Sequence, residues 1–186
     1  MKKGLKITLT LTLIAVLSGA ILAEVYKVTV EDIKANQKKE IEEAVFSVLP
    51  GAKEYKRETR GSREFFKCFD DKAELRGIAF VAEGIGYQDI IKVVVGVDSG
   101  LSKITGIRVI AHNETPGLGA KISEGWFEEQ FKGLSAAVRL DLVKGEPDKK
   151  NQIQAITGAT ISSQALVDII NKEIEDIKKH KVGNCD

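Results

Sequence analysis

The sequence predicts an α+β protein in which an antiparallel sheet with flanking helices follows one N-terminal transmembrane helix. Three observations support this class: an uncharged run near the start, three successive β-type segments joined by short turns, and an amphipathic helical pattern at the end. The chain has 186 residues, 43% of them hydrophobic and 30% charged, which suits one compact domain with appendages. We expect a membrane anchor over residues 1–26, a connecting amphipathic helix over 27–50 and the main domain over 51–186.

The N-terminal segment is typical of a membrane anchor. Lys2, Lys3 and Lys6 precede an uncharged run from Ile7 to Ala23. At about 1.5 Å per residue this run spans roughly 25 Å, near the lower limit for crossing a bilayer. Because positive flanks stay in the cytoplasm, the residues after Tyr26 are expected on the extracytoplasmic side of the cell (inner) membrane, in a single-pass arrangement.

A cleaved signal peptide is the alternative interpretation of this segment. A positive start, an apolar middle and Ala23 before Glu24 fit that pattern. Ile21, however, stands where a cleavage site favours a small residue, and the apolar run is long for a signal core. The main domain is extracytoplasmic under either interpretation.

The segment from Glu31 to Leu49 predicts an amphipathic helix leading into the domain. Its apolar residues recur at helical spacing among Lys and Glu, and Pro50-Gly51 ends the pattern. Beyond it, the segment "REFFKCF" predicts a strand. Three further segments, 75–82, 89–97 and 103–111, are rich in Val and Ile and are separated by short Gly-containing connections, which only antiparallel neighbours permit. A meander is therefore expected.

The second half of the domain begins where the strand pattern stops at "HNETPGLGA". A short helix is expected around Trp126, Phe127 and Phe131, with Trp126 and Phe127 in the core. A further strand is expected within 136–143. The last helix, from about Ser162 to Lys179, turns an apolar stripe inward; its members are Leu166, Ile169, Ile170, Ile174 and Ile177.

Charge and cysteine content exclude several function classes. The net charge is +1, from 28 basic and 27 acidic residues mixed along the chain, so no nucleic-acid face is expected. Cys68 and Cys185 lie far apart and do not cluster with His112 or His180, so an iron–sulfur or zinc site lacks its ligands, and no metal is expected. A disulfide between the two cysteines stays open, and a buried or tolerated thiol is preferred for each.

The stretch "AITGATISS" places small and hydroxyl residues directly before the last helix. One interpretation is a simple N-cap, in which the Thr160 hydroxyl accepts a backbone N–H of the first turn. The other is an anion site, because the N-terminus of a helix has unpaired amides and a partial positive charge. The residues alone permit both.

The motif "TGATISS" resembles the flavin attachment motif of a known family. That family comprises the G subunit of the Rnf ion-translocating ferredoxin:NAD oxidoreductase and the C subunit of sodium-translocating NADH:quinone reductase. "GIGYQDIIKVVVGVD" and "HNETPGLGAKIS" have the order and spacing of the same family, and the chain length is similar to that of the Rnf G subunit. One departure is Gln154, where the family commonly has an acidic residue.

The resemblance implies a membrane-anchored electron-carrier subunit rather than an enzyme on its own. FMN would be esterified through its phosphate to Thr160 by a flavin transferase, and the chain would work with other subunits of an ion-translocating electron-transport complex. The partners expected are those subunits, the transferase and membrane lipid, with no nucleic acid. The alternative from another class is a non-redox, membrane-tethered binding or sensory module.

The remaining candidate residues flank the two motifs. Pro116-Gly117 suits the central positions of a type II turn, which lets backbone approach a flat ring. With the resemblance, we expect the turn to contact the flavin and Lys121 to face its phosphate or pyrimidine ring. The expected cofactor-binding residues, none of them catalytic, are Thr157, Gly158, Ala159, Thr160, Ser162, Glu114, Thr115, Gly117, Leu118, Gly119 and Lys121.

Overall fold

The structure, a computed structural model, describes residues 2–60 and 63–179. Cys185 and His180 lie outside the described residues, and so does the possible disulfide to Cys68. The chain divides into two compact units after Glu40. The α-helices are α1 (Lys2–Val48), α2 (Gly125–Glu128) and α3 (Thr160–Lys179), with two short 3-10 helices at Gly119–Ser123 and Glu129–Phe131. The strands are β1 (Glu54–Arg60), β2 (Arg63–Phe69), β3 (Leu75–Ile85), β4 (Ile90–Asp98), β5 (Ile104–Ala111), β6 (Asp141–Val143) and β7 (Gln152–Gln154).

The first unit consists of helical residues with exposed apolar side chains. Leu5, Leu9, Leu13 and Leu22 each expose 66% or more of their surface. In the described part of the chain, one helix is long and apolar enough to cross a bilayer, with a mean hydropathy of 2.0 in its apolar stretch. The prediction of a long apolar helix at the N-terminus is confirmed.

Helix α1 covers both segments that the sequence predicted as separate helices. It continues from Lys2 to Val48. Residues 24–31 contain neither Pro nor Gly, so nothing there interrupts the helical hydrogen bonds. The domain boundaries at 26 and 50 stay predictions.

The second unit is built on a five-stranded antiparallel sheet in the order β1-β2-β3-β4-β5. The predicted meander is confirmed, and so is the strand over "REFFKCF". The sequence left β1 unassigned because its residues, "EYKRETR", are mostly charged and show no apolar alternation. The strand pairs with β2 alone and forms an edge, where charged side chains oppose pairing with another chain.

The two faces of the sheet carry two apolar clusters. The larger cluster packs β2–β5 against α2 and α3 and contains Phe80, Phe127, Phe131 and Ile170. The smaller one packs the end of α1, including Val45, on the opposite face. Every member of the predicted apolar stripe of α3 is buried, since Leu166, Ile169, Ile170, Ile174 and Ile177 all belong to the larger cluster.

The strand expected within 136–143 is confirmed over Asp141–Val143. Just before it, the Asn171 side chain pairs with both backbone groups of Leu140, at 2.8 and 2.9 Å. The prediction that Trp126 lies in the core was wrong. Trp126 is 52% exposed, and its ring N–H donates to Glu124, whereas Phe127 is fully buried. A four-residue helix turns only one of two adjacent aromatic rings inward.

Candidate functional site

The turn before α3 is held by a serine rather than by a threonine. The Ile156 N–H donates to Ser163 Oγ at 3.1 Å, and the Ser163 hydroxyl donates to the Ala159 carbonyl at 2.9 Å. Gly158 has a φ of 81°, in the left-handed region that glycine adopts without steric cost. These contacts close the turn and start the helix at Thr160.

Thr160 is exposed at the first position of α3. Its hydroxyl makes no hydrogen bond with any residue that the structure describes, so it does not act as the side-chain N-cap. The first helical hydrogen bond runs from Ser163 N–H to the Ala159 carbonyl, at 3.0 Å. The three preceding amides, of Thr160, Ile161 and Ser162, therefore lack acceptors within the helix, which is the arrangement that favours an anion.

The second motif folds into the turn that its sequence predicts. The Leu118 N–H donates to the Thr115 carbonyl at 3.2 Å, which closes the turn around Pro116 and Gly117. Gly117 has a φ of 75°, as the second central position of a type II turn requires. Leu118 remains 46% exposed. The turn thus exposes the apolar side chain of Leu118 beside a glycine in the left-handed region.

Glu114 joins three segments beneath this loop. The side chain is only 4% exposed. Its Oε1 accepts the backbone N–H groups of Tyr87 and Gln88, at 2.7 and 3.1 Å. Its Oε2 accepts the hydroxyl of Ser162 at 2.5 Å. The end of β3, the turn motif and the first turn of α3 are therefore bound together by one carboxylate.

A cleft of about 480 Å³ lies between the turn motif and the start of α3. This volume is within the usual range for small-molecule sites. Among the residues that the structure describes, no charged side chain lines the cleft; its lining residues are Tyr87, Thr115, Leu118, Gly119, Gly158, Ala159, Thr160, Ile161 and Ser162. An uncharged wall and three unpaired helix amides suit a flat aromatic group that carries a phosphate.

The structure brings together most of the residues expected from the sequence. Seven of the expected residues line the cleft: Thr115, Leu118, Gly119, Gly158, Ala159, Thr160 and Ser162. The other four, Glu114, Gly117, Lys121 and Thr157, do not line it. Two lining residues were missed, Tyr87 and Ile161. Tyr87 is the aromatic residue of "GIGY", at the start of the family-like segment "GIGYQDIIKVVVGVD", and its place in that segment could have identified it as a site residue.

Thr160 also borders a second cleft, on the other side of the start of α3. Its volume is about 730 Å³, and its apolar wall includes Ile85, Ile161 and Ala165. Ile85 is 82% exposed. The attachment residue expected from the sequence therefore lies on the ridge between two clefts.

His112 is a hydrogen-bonded histidine outside the cleft. Its Nε2 lies 3.2 Å from Ser123 Oγ, and its Nδ1 accepts the Glu114 N–H at 3.3 Å. Nearby, burial raises the pKa of Glu128, which accepts the Val109 N–H at 2.8 Å and pairs with Arg108 at 3.1 Å. These groups connect β5 to the helices below the site.

Comparison with known proteins identifies the domain. The model of the FMN-binding domain family matches residues 86–175, which contain both motifs and the cleft. The chain is 32% identical over 182 residues to the G subunit of the ion-translocating oxidoreductase complex of Methanosarcina acetivorans, with 94% of each chain covered. It is 34% identical over 173 residues to the G subunit of the proton-translocating ferredoxin:NAD⁺ oxidoreductase complex of Clostridium ljungdahlii, covering 92% of this chain and 90% of the relative.

Solved structures share the fold. The C subunit of Na⁺-translocating NADH-quinone reductase from Parabacteroides distasonis superposes with a TM-score of 0.65 at 17% identity, over 82% of this chain and 97% of that one. NqrC from Shewanella oneidensis superposes with a TM-score of 0.55 at 24% identity, over 60% of this chain and 55% of that one. The fold and site thus define an FMN-binding domain of an electron-transport protein. The chain belongs to the family of G subunits of ion-translocating oxidoreductase complexes, and its relatives are parts of multi-subunit assemblies.

Proposed function

We propose that this chain is a membrane-anchored electron carrier in which FMN is esterified through its phosphate to Thr160. The single observation that supports this assignment best is the state of the Thr160 hydroxyl. It is exposed, unbonded among the described residues, and placed where three amides of α3 lack acceptors. A hydroxyl in that position can carry a phosphate without giving up a structural hydrogen bond.

The residues around Thr160 fit a covalently held flavin. The uncharged cleft offers Tyr87 and Leu118 as apolar contacts for a ring, while the first turn of α3 offers its amides to the phosphodiester. The flavin supplies the redox chemistry, and the protein supplies its position and electrostatic surroundings. Thr115, Gly119, Ser162 and the backbone of Gly158 complete the proposed binding set.

Membrane attachment is the second part of the proposal. The apolar N-terminal helix spans the membrane once, and the three lysines before it keep its start in the cytoplasm. The FMN domain then lies on the extracytoplasmic side, in contact with lipid near its anchor. Covalent attachment prevents loss of the cofactor by dilution in that compartment.

The partners follow from the family. Relatives are named as subunits of proton-translocating and Na⁺-translocating ferredoxin:NAD⁺ oxidoreductase complexes. We propose that this chain passes electrons between subunits of such a complex, with their transfer coupled to ion movement. A flavin transferase is required: Thr160 Oγ1 loses its proton and bonds to the phosphorus of an activated flavin donor, and the bond from that phosphorus to the donor's leaving group breaks.

Mass spectrometry of the denatured chain tests the covalent bond. Protein from a host that contains a flavin transferase is expected to exceed its sequence mass by one FMN less one water. Thr160→Ala should abolish this increment while the domain stays folded, and Thr160→Ser tests whether any hydroxyl suffices. Thr157→Ala is the matched control, because Thr157 is another exposed threonine of the same turn and should keep the increment.

Two outcomes would contradict the assignment. An increment that persists in Thr160→Ala would place the attachment point elsewhere. A wild-type chain that never shows the increment in that host would support a non-redox binding module instead.

A further inference from the structure

Both carboxylate oxygens of Glu114 accept hydrogen bonds from other residues of the domain. Two backbone N–H groups and one hydroxyl donate to its two oxygens, at distances of 2.5 to 3.1 Å. Burial of a carboxylate costs free energy unless hydrogen bonds compensate it. Here three donors do so, and the nearby start of α3 adds the positive end of the helix dipole. The buried carboxylate of Glu114 therefore has specific hydrogen-bond donors for both of its oxygens.

Two glycines make room for this carboxylate. A Cβ added to Gly119 would lie 2.8 Å from Glu114 Oε2 and 2.7 Å from Ser162 Oγ. A Cβ added to Gly86 would overlap Glu114 Oε1. Backbone therefore closes on the carboxylate from two sides, one from the end of β3 and one from the turn motif.

The three donors belong to two segments that line the cleft, the turn after β3 and the first turn of α3. Tyr87 and Ser162 line it directly, whereas Glu114 itself does not. A backbone hydrogen bond of 2.8 Å closes the turn after β3, and Tyr87 within it is 59% exposed. Glu114 supplies the acceptor for the two amides at the tip of that turn. A change at Glu114 would thus reach the cleft through Tyr87, Gln88 and Ser162.

We infer that Glu114 is a positioning residue, which shapes the cleft by holding the Tyr87–Gln88 turn against the first turn of α3 and does not itself touch the cofactor. The inference deepens the proposed function and rests on it for the flavin measurements alone. What matters is the reach and accepting geometry of the side chain. Glutamine keeps the reach and one accepting oxygen for the two backbone N–H groups, while its NH2 donates to the Ser162 hydroxyl, which can also accept; aspartate keeps the charge and both oxygens but is one methylene shorter.

The test compares Glu114→Gln, Glu114→Asp and Glu114→Ala in the full-length protein in detergent. Two quantities are measured: amide hydrogen exchange of Tyr87 and Gln88 in flavin-free protein, and visible circular dichroism in flavin-loaded protein. The first reports hydrogen bonding of the turn, and the second reports how rigidly an asymmetric environment holds the ring. We expect exchange to accelerate about tenfold or more in the Asp and Ala variants, with loss of the dichroism, and both to stay near wild type in the Gln variant.

Three results would overturn the inference. Unchanged exchange in Glu114→Ala or Glu114→Asp would show that the turn holds itself. A Gln variant as impaired as the Ala variant would show that the charge and the second accepting oxygen of the carboxylate, not the reach of the side chain to the turn, are essential. Unchanged dichroism in a variant with accelerated exchange would show that the turn does not position the flavin.

Two complications leave the test valid. If Glu114→Ala does not fold, the comparison of Glu114→Gln with Glu114→Asp decides whether Glu114 holds the turn. If wild type lacks the FMN mass increment, the proposed function fails, yet the flavin-free exchange still decides whether Glu114 holds the turn.

Discussion

Ser163 Oγ accepts the N–H of Ile156 at 3.1 Å, a contact that closes the turn before α3 without capping the first amides of the helix. Ser163 is fully buried, while Thr160, one turn away on the same helix, is exposed. The two hydroxyl residues therefore have separate roles. One stabilises the turn before α3, and the other is available to a ligand.

The stability of two alanine variants should reflect this division. Ser163→Ala leaves the Ile156 N–H buried without an acceptor and should lower the free energy of unfolding by about 1–3 kcal/mol. Thr160→Ala, the matched control, should change it by no more than about 0.5 kcal/mol. Urea unfolding of flavin-free protein measures both. A loss of about 1 kcal/mol in Thr160→Ala would instead restore the capping role.

Substitution at Gly117 should affect the turn through its backbone. A Cβ there would meet nothing within 4 Å, so Gly117→Ala introduces no clash, only the cost of a side chain at a φ of 75°. We expect a loss of about 1–2 kcal/mol in stability and an altered flavin potential, with attachment retained. Gly125→Ala is the control, since its Cβ also meets open space but its φ is not positive. Equal effects at both positions would contradict the argument.

The buried thiol of Cys68 should be unreactive in the folded protein. Burial raises its pKa to about 11, so at pH 8 only about one molecule in a thousand carries a thiolate. In a Cys185→Ser background, a thiol reagent should react slowly at pH 8 and rapidly after unfolding in urea. Because the unfolded thiol loses its proton near pH 8.5 and the folded one does not, stability should fall as pH rises from about 8.5 to 11. Rapid labelling of folded protein would contradict this.

Membrane topology can be tested at an exposed loop. Asp148 is exposed between β6 and β7, and its replacement by cysteine in the Cys185→Ser background gives one reactive site, since Cys68 is buried. We expect an impermeant maleimide to label Asp148→Cys with the cytoplasmic membrane intact, once the outer envelope is open to the reagent. Labelling that requires permeabilisation of the cytoplasmic membrane would reverse the proposed orientation.

The sequence by itself determined the features that depend on short-range patterns. Alternation and turn residues predicted the meander, helical spacing predicted α3, and Pro116-Gly117 predicted a turn with a positive φ. Length and apolarity predicted the N-terminal helix. In each case the physical cause lies in residues that are continuous in sequence, so the pattern is visible in the chain itself.

Tertiary structure alone decided which polar groups meet. Glu114 and Ser162 are 48 positions apart, and their hydrogen bond exists because α3 packs against the strands that carry the turn motif. The same packing brings Tyr87 into the cleft. The hydrogen bond from the Ile156 N–H to Ser163 spans only seven positions, and the geometry of the turn, which the residue types left open, sets it. Sequence patterns specify the faces that are buried, but hydrogen bonds between distant segments depend on the distances that packing sets.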